Sequence, residues 1–475
     1  MTPPAMPFHL PLDRPGWRTA LAAPLLALLA TAVPAAGTPP LPADRDTAGW
    51  QTALPHGGRL TDLATWWQQF DDPALPVLVA AAQAVSPDLA SAASRIAQAD
   101  AVRAAATGRA TGPQVNGVLA ASRNRATADT PAAGTASVGV QASWEIDLFG
   151  GLRAARLASE ARLGEAQADW HAARVSLAAE VADRLLGLRA CEQLAQAADD
   201  EQRSRAESAR LVALAQRAGF ESPATAALAQ ATAAQAALAA SARQVQCGQL
   251  QQGLQALTGL SPEALRSQLA PRTAHLPQPA ELAVVALPAQ ALAQRPDLRS
   301  SALALEAAAA DVDDRRAAQR PRVALSGSLG LGMLRSAGVS GQGSVWSLGP
   351  LEVTLPLIDG GARRASTAAA QVAYDAARVA YQARLRTAVR EVEDALLRLR
   401  DGARRRADAE AAVAGFRQAQ AATEQRQRAG LASRLELEDT RRSLLQARTQ
   451  QTDTEREQVA AWIALYRALG GGWTE

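Results

Sequence analysis

The chain has 475 residues, of which 49 are basic and 46 acidic, for a net charge of +3, and every basic residue is arginine. These charges are interspersed rather than gathered, which argues against a nucleic-acid interface, since that needs a basic patch. Aromatics are only 4% of residues while alanine is abundant, so long, closely packed helices fit better than a broad globular core.

The first 36 residues read as an export signal. Arg14 and Arg18 precede the apolar run TALAAPLLALLATAV, and Val33-Pro34-Ala35 offers small residues for cleavage near 35–37. The run is short for a bilayer span of about 20 apolar residues. No later segment is long and apolar enough for a transmembrane helix, so membrane insertion would require β-structure. Residues 37–85 form an N-terminal arm that turns helical from WWQQFDDPALPVLVAAA onward.

A first repeat follows over 86–260. SPDLASAASRIAQADAVRAAATG is a helix with Ser86 as N-cap and Pro87 at its first position. Strands are expected at 113–126 and 136–149, the second with Val138, Val140, Ala142, Trp144 and Ile146 on one face. After Gly150-Gly151 the helical pattern runs to Arg217, about 67 residues or roughly 100 Å at 1.5 Å per residue. Gly219 breaks it, and Ser222-Pro223 restarts a helix, so 151–258 is one long hairpin. A Pro-rich connector spans 261–288.

The pattern then recurs over 289–475: a helix, strands at 321–334 and 344–358 joined by a loop over SAGVSGQGS, and a hairpin at 361–469. Gly150-Gly151 matches Gly360-Gly361 at an offset of 210, and Gln216-Arg217-Ala218-Gly219 recurs as Gln427-Arg428-Ala429-Gly430 at 211. One inserted residue over the long helix is expected, within an internal duplication. The glycine pairs allow a sharp change of direction where strand becomes helix.

The expected fold is thus mainly α with membrane β. Four strands cannot close a barrel, and lipid does not tolerate an open sheet edge. Three copies would give a twelve-stranded barrel, an even number; two would give eight.

WWQQFDDPAL, SPDLASAASRIAQADAVRAAA, SWEIDLFGGLRAAR, the two QRAG turns, QRPDLRSSALALEAAAADV, PLIDGGARRAS and YRALGGGW together resemble the TolC-like outer-membrane efflux proteins, in the branch containing OprM and NodT. The resemblance covers about 60–475. It implies a homotrimer with a twelve-stranded barrel in outer-membrane lipid and a periplasmic tunnel of α-helical hairpins. It also implies a periplasmic adaptor (membrane fusion) protein and an inner-membrane pump of the resistance-nodulation-division type as partners. The expected function is a passive exit duct for small molecules, with type I protein secretion and a periplasmic coiled-coil spacer as alternatives. Members of that branch usually carry a lipidated cysteine directly after the signal. Here the region reads VPAAGTPP, so a channel without a lipid anchor is expected.

Three groups of residues are candidates for function. The hairpin tips hold Gln216, Arg217, Ala218, Gly219, Phe220 and Ser222, and again Gln427, Arg428, Ala429, Gly430, Leu431 and Ser433. Gly after the helix and Ser as the next N-cap make a turn by themselves; the resemblance adds an adaptor-contact role. Glu436 and Asp439 share a helix face at three-residue spacing. The resemblance makes them a periplasmic gate, a threefold acidic constriction; otherwise they are a solvated face paired with Arg434, Arg441 or Arg442. The first repeat has Thr225 and Leu228 at those offsets.

Cys191 and Cys247 lie 28 residues before and after Gly219, at one height in an antiparallel hairpin and at one heptad phase. In an oxidising compartment a disulfide follows if the backbones approach closely, which Gly187, Ala190 and Gly248 would favour; otherwise they are two buried thiols. No enzyme, metal site or cofactor is expected. His9, His56, His171 and His275 are scattered, and GSLGLGML is strand glycine that precedes no helix.

Overall fold

The computed structural model describes residues 70, 72–125, 131–277, 292, 294–336 and 339–471; the signal segment and most of the N-terminal arm lie outside them. Helix α1, Ala74–Val85, and α2, Pro87–Thr111, lead to strands β1, Gln114–Asn124, and β2, Ala133–Ile146. Helix α3, Gly151–Arg217, and α4, Pro223–Thr258, make the first hairpin, and α5, Pro262–Leu269, follows it. Then come α6, Pro296–Ala317, β3, Arg322–Ser336, β4, Val339–Thr354, and the second hairpin of α7, Ala362–Arg428, and α8, Arg434–Ala468.

Local chemistry sets these boundaries. Ser86 caps α2 by accepting the Leu89 N–H at 3.3 Å, and Ser261 caps α5 through the Ala264 N–H at 3.2 Å. Each is followed by a proline, whose missing N–H costs nothing in a first turn. The connector expected over 261–288 therefore starts as a capped helix, and its residues after 277 lie outside the described set. The loop expected over SAGVSGQGS is mostly strand. Ser336 pairs with Val339 and Leu334 with Gly341, so Gly341 and Gly343 join the ladder rather than leave it.

Helices α3 and α7 both contain 67 residues. The residue just before each is a left-handed glycine, Gly150 at φ 76° and Gly361 at φ 86°. Gly150 therefore matches Gly361, at the same offset of 211 as the tips. The inserted residue expected from the sequence is absent from the long helix. Gly151 is helical; a Cβ there would lie 3.1 Å from the Ala317 Cβ, so its smallness serves packing against α6.

The sheet is one antiparallel layer in the order β1-β2-β3-β4. Strands β2 and β3 join the two repeats, and among the described residues β1 and β4 end the sheet as open edges. The helices also form a chain of neighbours: α2–α3–α6–α7 nearer the sheet, and α4–α3–α8–α7 nearer the tips. Among the described residues, layer depth exceeds one in a belt about midway along α3, where α1 and α5 add a cover. There Leu75, Leu78, Leu185, Leu265, Leu396 and Trp462 belong to one buried cluster. Truncating such a leucine to alanine costs about 2–5 kcal/mol.

Two arginines fix that belt. Arg189 is fully buried and donates through Nε to Asp72 Oδ2 at 3.1 Å and through Nη1 to Glu192 Oε2 at 3.4 Å. Asp72 also accepts the Ala74 N–H at 3.0 Å, which ties the start of α1 to α3. Arg295 donates to the Ala468 carbonyl at 2.7 Å, to Asp297 and to Glu391, clamping the start of α6 to α7 and α8. Burial alone would raise the Asp297 carboxyl, but hydrogen bonds and charge from Arg295, the charge of Arg384 and the Leu298 N–H hold it below its ordinary value.

Candidate duct wall, joints and hairpin tips

Register gives the sheet two chemically distinct faces. One cross-strand row reads Gly117, Val140, Leu329, Trp346, and another reads Trp144, Leu325, Leu351. The opposite face carries the row Asn116, Gln141, Ser328, Ser347. Hydroxyls bridge strands on that face, Ser122 to Thr135 and Ser328 to Ser347, each at 2.8 Å. Its charges gather at the helix end, where Glu145 and Glu352 flank Ala324 and Arg322 pairs with Glu145 at 3.3 Å. An apolar face backed by a polar one is what a wall between lipid and water requires.

On the polar face Gly139 and Gly330 are cross-strand partners. A Cβ on Gly139 would sit 2.5 Å from the Leu329 carbonyl oxygen, and one on Gly330 would sit 2.6 Å from that of Val138. The seam between the repeats is thus a point of closest approach that admits no side chain.

At the joints, the glycines act with an aspartate that the sequence reading passed over. Asp147 accepts the Arg153 N–H at 2.8 Å, and Asp359 accepts the N–H groups of Gly361 at 2.9 Å and Arg363 at 3.1 Å. Each carboxylate thus satisfies orphan donors at the positive end of a 67-residue helix. The Arg363 and Gly361 N–H groups hold the Asp359 carboxyl below its ordinary value, aided by the Arg363 side chain.

The two tips are built alike. Gly219 at φ 80° and Gly430 at φ 75° reverse the chain. Gly219 N–H donates to the Gln216 carbonyl and Gly430 N–H to that of Gln427, both at 3.0 Å, while Ala218 and Ala429 close the preceding turns. Phe220 N–H reaches the Ala215 carbonyl at 2.8 Å, and Leu431 N–H that of Arg426 at 2.7 Å. Ser222 and Ser433 cap the returning helices through the N–H groups of Thr225 and Glu436. With their own N–H groups bonded inside the turns, Phe220 and Leu431 stand 86% and 71% exposed. Arg217 turns back to the Ala213 carbonyl, and Arg428 pairs with Glu424 at 2.6 Å.

Glu436 and Asp439 are both engaged within the chain. Glu436 pairs with Arg426 at 2.7 Å, whose second nitrogen donates to the Leu431 carbonyl at 3.2 Å; Asp439 pairs with Arg442. Between them lies a residue the sequence reading missed. Glu438 is 2% exposed, accepts from the Ser204 hydroxyl of α3, and pairs with Arg441 at 2.9 Å. Arg442 also donates to Ser208 at 3.1 Å, and Arg434 lies 3.7 Å from Glu207. One face of α8 is therefore laced to α3, holding the two hairpins side by side. Glu438 sits one residue from an expected site, but nothing in the local pattern tells a buried carboxylate from a solvated one.

Cys191 and Cys247 form a disulfide between α3 and α4, with their Cα atoms 5.6 Å apart. At the matching place in the second hairpin stand Gly402 and Gln458, and a Cβ on Gly402 would lie 3.6 Å from that of Gln458. The second hairpin thus also brings two Cβ positions within disulfide range at the same height, but only the first is covalently joined.

Comparison with known proteins falls into the same two halves. The family described as Outer membrane efflux protein matches residues 78–260 and 287–471. The pyoverdine export outer membrane protein OpmQ of Pseudomonas putida is 31% identical over 459 residues, covering 94% of this chain and 96% of its own. The solvent efflux pump outer membrane protein SrpC of Pseudomonas putida is 28% identical over 449 residues, covering 91% and 94%. Among solved structures, the outer-membrane channel OprN superposes with a TM-score of 0.78 at 29% identity, covering 90% of this chain and 98% of its own. This chain belongs to the outer membrane efflux protein family.

Proposed function

We propose that this chain is the outer-membrane exit duct of a tripartite efflux pump, conducting small molecules passively from a periplasmic assembly to the exterior. The observation that carries the reading is the two-faced sheet set on two 67-residue helices. Its open edges are supplied by two further copies, giving twelve strands around one lumen. The polar row of Asn116, Gln141, Ser328 and Ser347 then lines the lumen, and the apolar rows face lipid. Wall and lumen need no energy source; transport work belongs to the inner-membrane partner, here assigned to the resistance-nodulation-division type.

The hairpin tips meet the adaptor. Exposed Phe220 and Leu431 supply apolar anchors on turns where their own N–H groups are already bonded within the chain. Glu436 and Asp439 form the periplasmic gate, a carboxylate constriction that breaking the Arg426 and Arg442 pairs would make more negative. The barrel alone anchors the protein, because the only two cysteines are bonded to each other and neither is free to carry an acyl chain.

The test is a mild-detergent pull-down of the tagged protein from its own envelope, with partners identified by mass. An adaptor with a proton-driven resistance-type pump is expected. An adaptor with an ATP-driven exporter would replace the efflux reading with protein secretion, and a soluble monomer without partners would overturn the duct. Gly219→Trp with Gly430→Trp is expected to leave the trimer intact and abolish co-purification of the adaptor.

A further inference from the structure

The sheet's two ends differ in chemistry on the apolar face. At the helix end the face carries Trp144 beside Leu325 and closes with Ile146 beside Val323. At the turn end it closes with arginine: Arg123 pairs with Gly134, and Gly134 pairs with Arg335, so two guanidinium groups flank a residue without a side chain. Ser340 continues the same row on β4. A Cβ on Gly134 would meet only two backbone oxygens, each at 3.9 Å, so the space above it is open. Both arginines are exposed, and neither guanidinium group makes an ion pair or hydrogen bond among the described residues.

Their height is set by the strand. From Val323 to Met333 the face advances ten residues, about 33 Å along the strand or about 25 Å of height at a tilt near 40°, the full apolar band of an outer-membrane barrel. Arg335 is the next residue on that face. On β4 the face has already turned polar, with Ser340, Gln342 and Ser344. Because the long helices leave the opposite end of the sheet, this rim faces the cell exterior.

We propose that Arg123 and Arg335, with the gap over Gly134 between them, form a clamp for the phosphate of an outer-leaflet glycolipid; this rests on the barrel reading above. Arginine is suited to the task because its planar fork binds phosphate oxygens in pairs. The two Cα atoms are two strand spacings apart, about 10 Å, and two extended guanidinium groups converge across that distance on one anionic headgroup. The interface both demands and supplies the ligand. An arginine facing the hydrocarbon edge is costly unless its charge reaches the headgroups, and outer-leaflet phosphate provides the complementary charge.

The test uses the intact trimer in detergent micelles doped with diphosphorylated lipid A or with its dephosphorylated form, with bound lipid read by native mass spectrometry. The wild type is expected to retain at least tenfold more of the phosphorylated lipid. Arg123→Gln with Arg335→Gln, and separately Gly134→Glu, which places a carboxylate in the gap, are expected to lower retention to the dephosphorylated level. Conductance in planar bilayers is expected to remain. Equal retention of the two lipids by a conducting wild type overturns the clamp alone and needs no variant to fold. Displacement of the lipid by inorganic phosphate would show a free-anion site and overturn the lipid assignment. A wild type that forms no conducting trimer overturns the barrel reading and the clamp with it.

Discussion

If the two hairpins share one geometry, the second should accept the bridge that the first carries. Gly402 and Gln458 occupy the positions of Cys191 and Cys247, 211 residues on. The 3.6 Å separation of the two Cβ positions lies in the range disulfides use, about 3.5–4.5 Å. Nothing valuable is lost, since the Gln458 Oε1 atom is buried without a hydrogen-bond partner. The double substitution Gly402→Cys, Gln458→Cys is therefore expected to oxidise spontaneously during export. Closing a loop of the same 56-residue separation as the native bridge stabilises by at most about 4 kcal/mol in the chain-entropy account. Mass spectrometry of unreduced peptides reads the bond, and denaturant unfolding with and without reductant reads its energetic effect. A variant that folds and trimerises but keeps two free thiols would refute the equivalence of the hairpins at this height.

Three further outcomes follow from single contacts. Asp72→Ala leaves the buried Arg189 with only its longer Glu192 contact and is expected to destabilise by up to about 3–5 kcal/mol, while Asp72→Leu with Arg189→Met loses less; denaturant titration separates the two. Gly139→Val drives a side chain into the Leu329 carbonyl and is expected to cost at least about 1–3 kcal/mol, read as a lower melting temperature of the trimer. Asp359 has a folded pKa below its unfolded one, so its contribution is complete above the ordinary carboxylate range and is lost as pH falls through the lowered value. Asp359→Asn is thus expected to be less stable than wild type at neutral pH and to converge with it in acid; a gap that does not change with pH would refute the capping role.

The parts legible in the sequence are those with local causes. The starts of α2 and α4 are marked by Ser-Pro pairs, the reversals by glycine followed three residues later by serine, and the strands by alternation. Each of these acts over fewer than about ten residues. The joint was half legible: the glycines stood out, whereas Asp147 and Asp359 look like ordinary acidic residues until their N–H partners are seen. What stayed hidden are side-chain pairs joined only by folding. Arg189 meets Asp72 across 117 positions, Arg295 meets Glu391 across 96, and Ser204 meets Glu438 across 234. The disulfide is the instructive exception, because symmetry about the tip carries a contact over 56 positions into a register that can be counted.

The same geometry explains why the chain is incomplete alone. Outside the central belt the helices lie one layer deep, and the smaller buried clusters hold only three residues each, such as Ala161, Leu303 and Ala307. Leu228, Leu238 and Val245 of α4 and Val372 and Val379 of α7 remain exposed on the outermost helices of that layer. Sheet and helical layer thus share one defect, two open edges, and one remedy, further copies set edge to edge. Stability measured on any of these variants is then a property of the assembly and shifts with protomer concentration. A substitution on an edge helix such as Leu238→Asp should weaken the trimer more than the fold of the protomer, whereas Asp72→Ala should act on the protomer first.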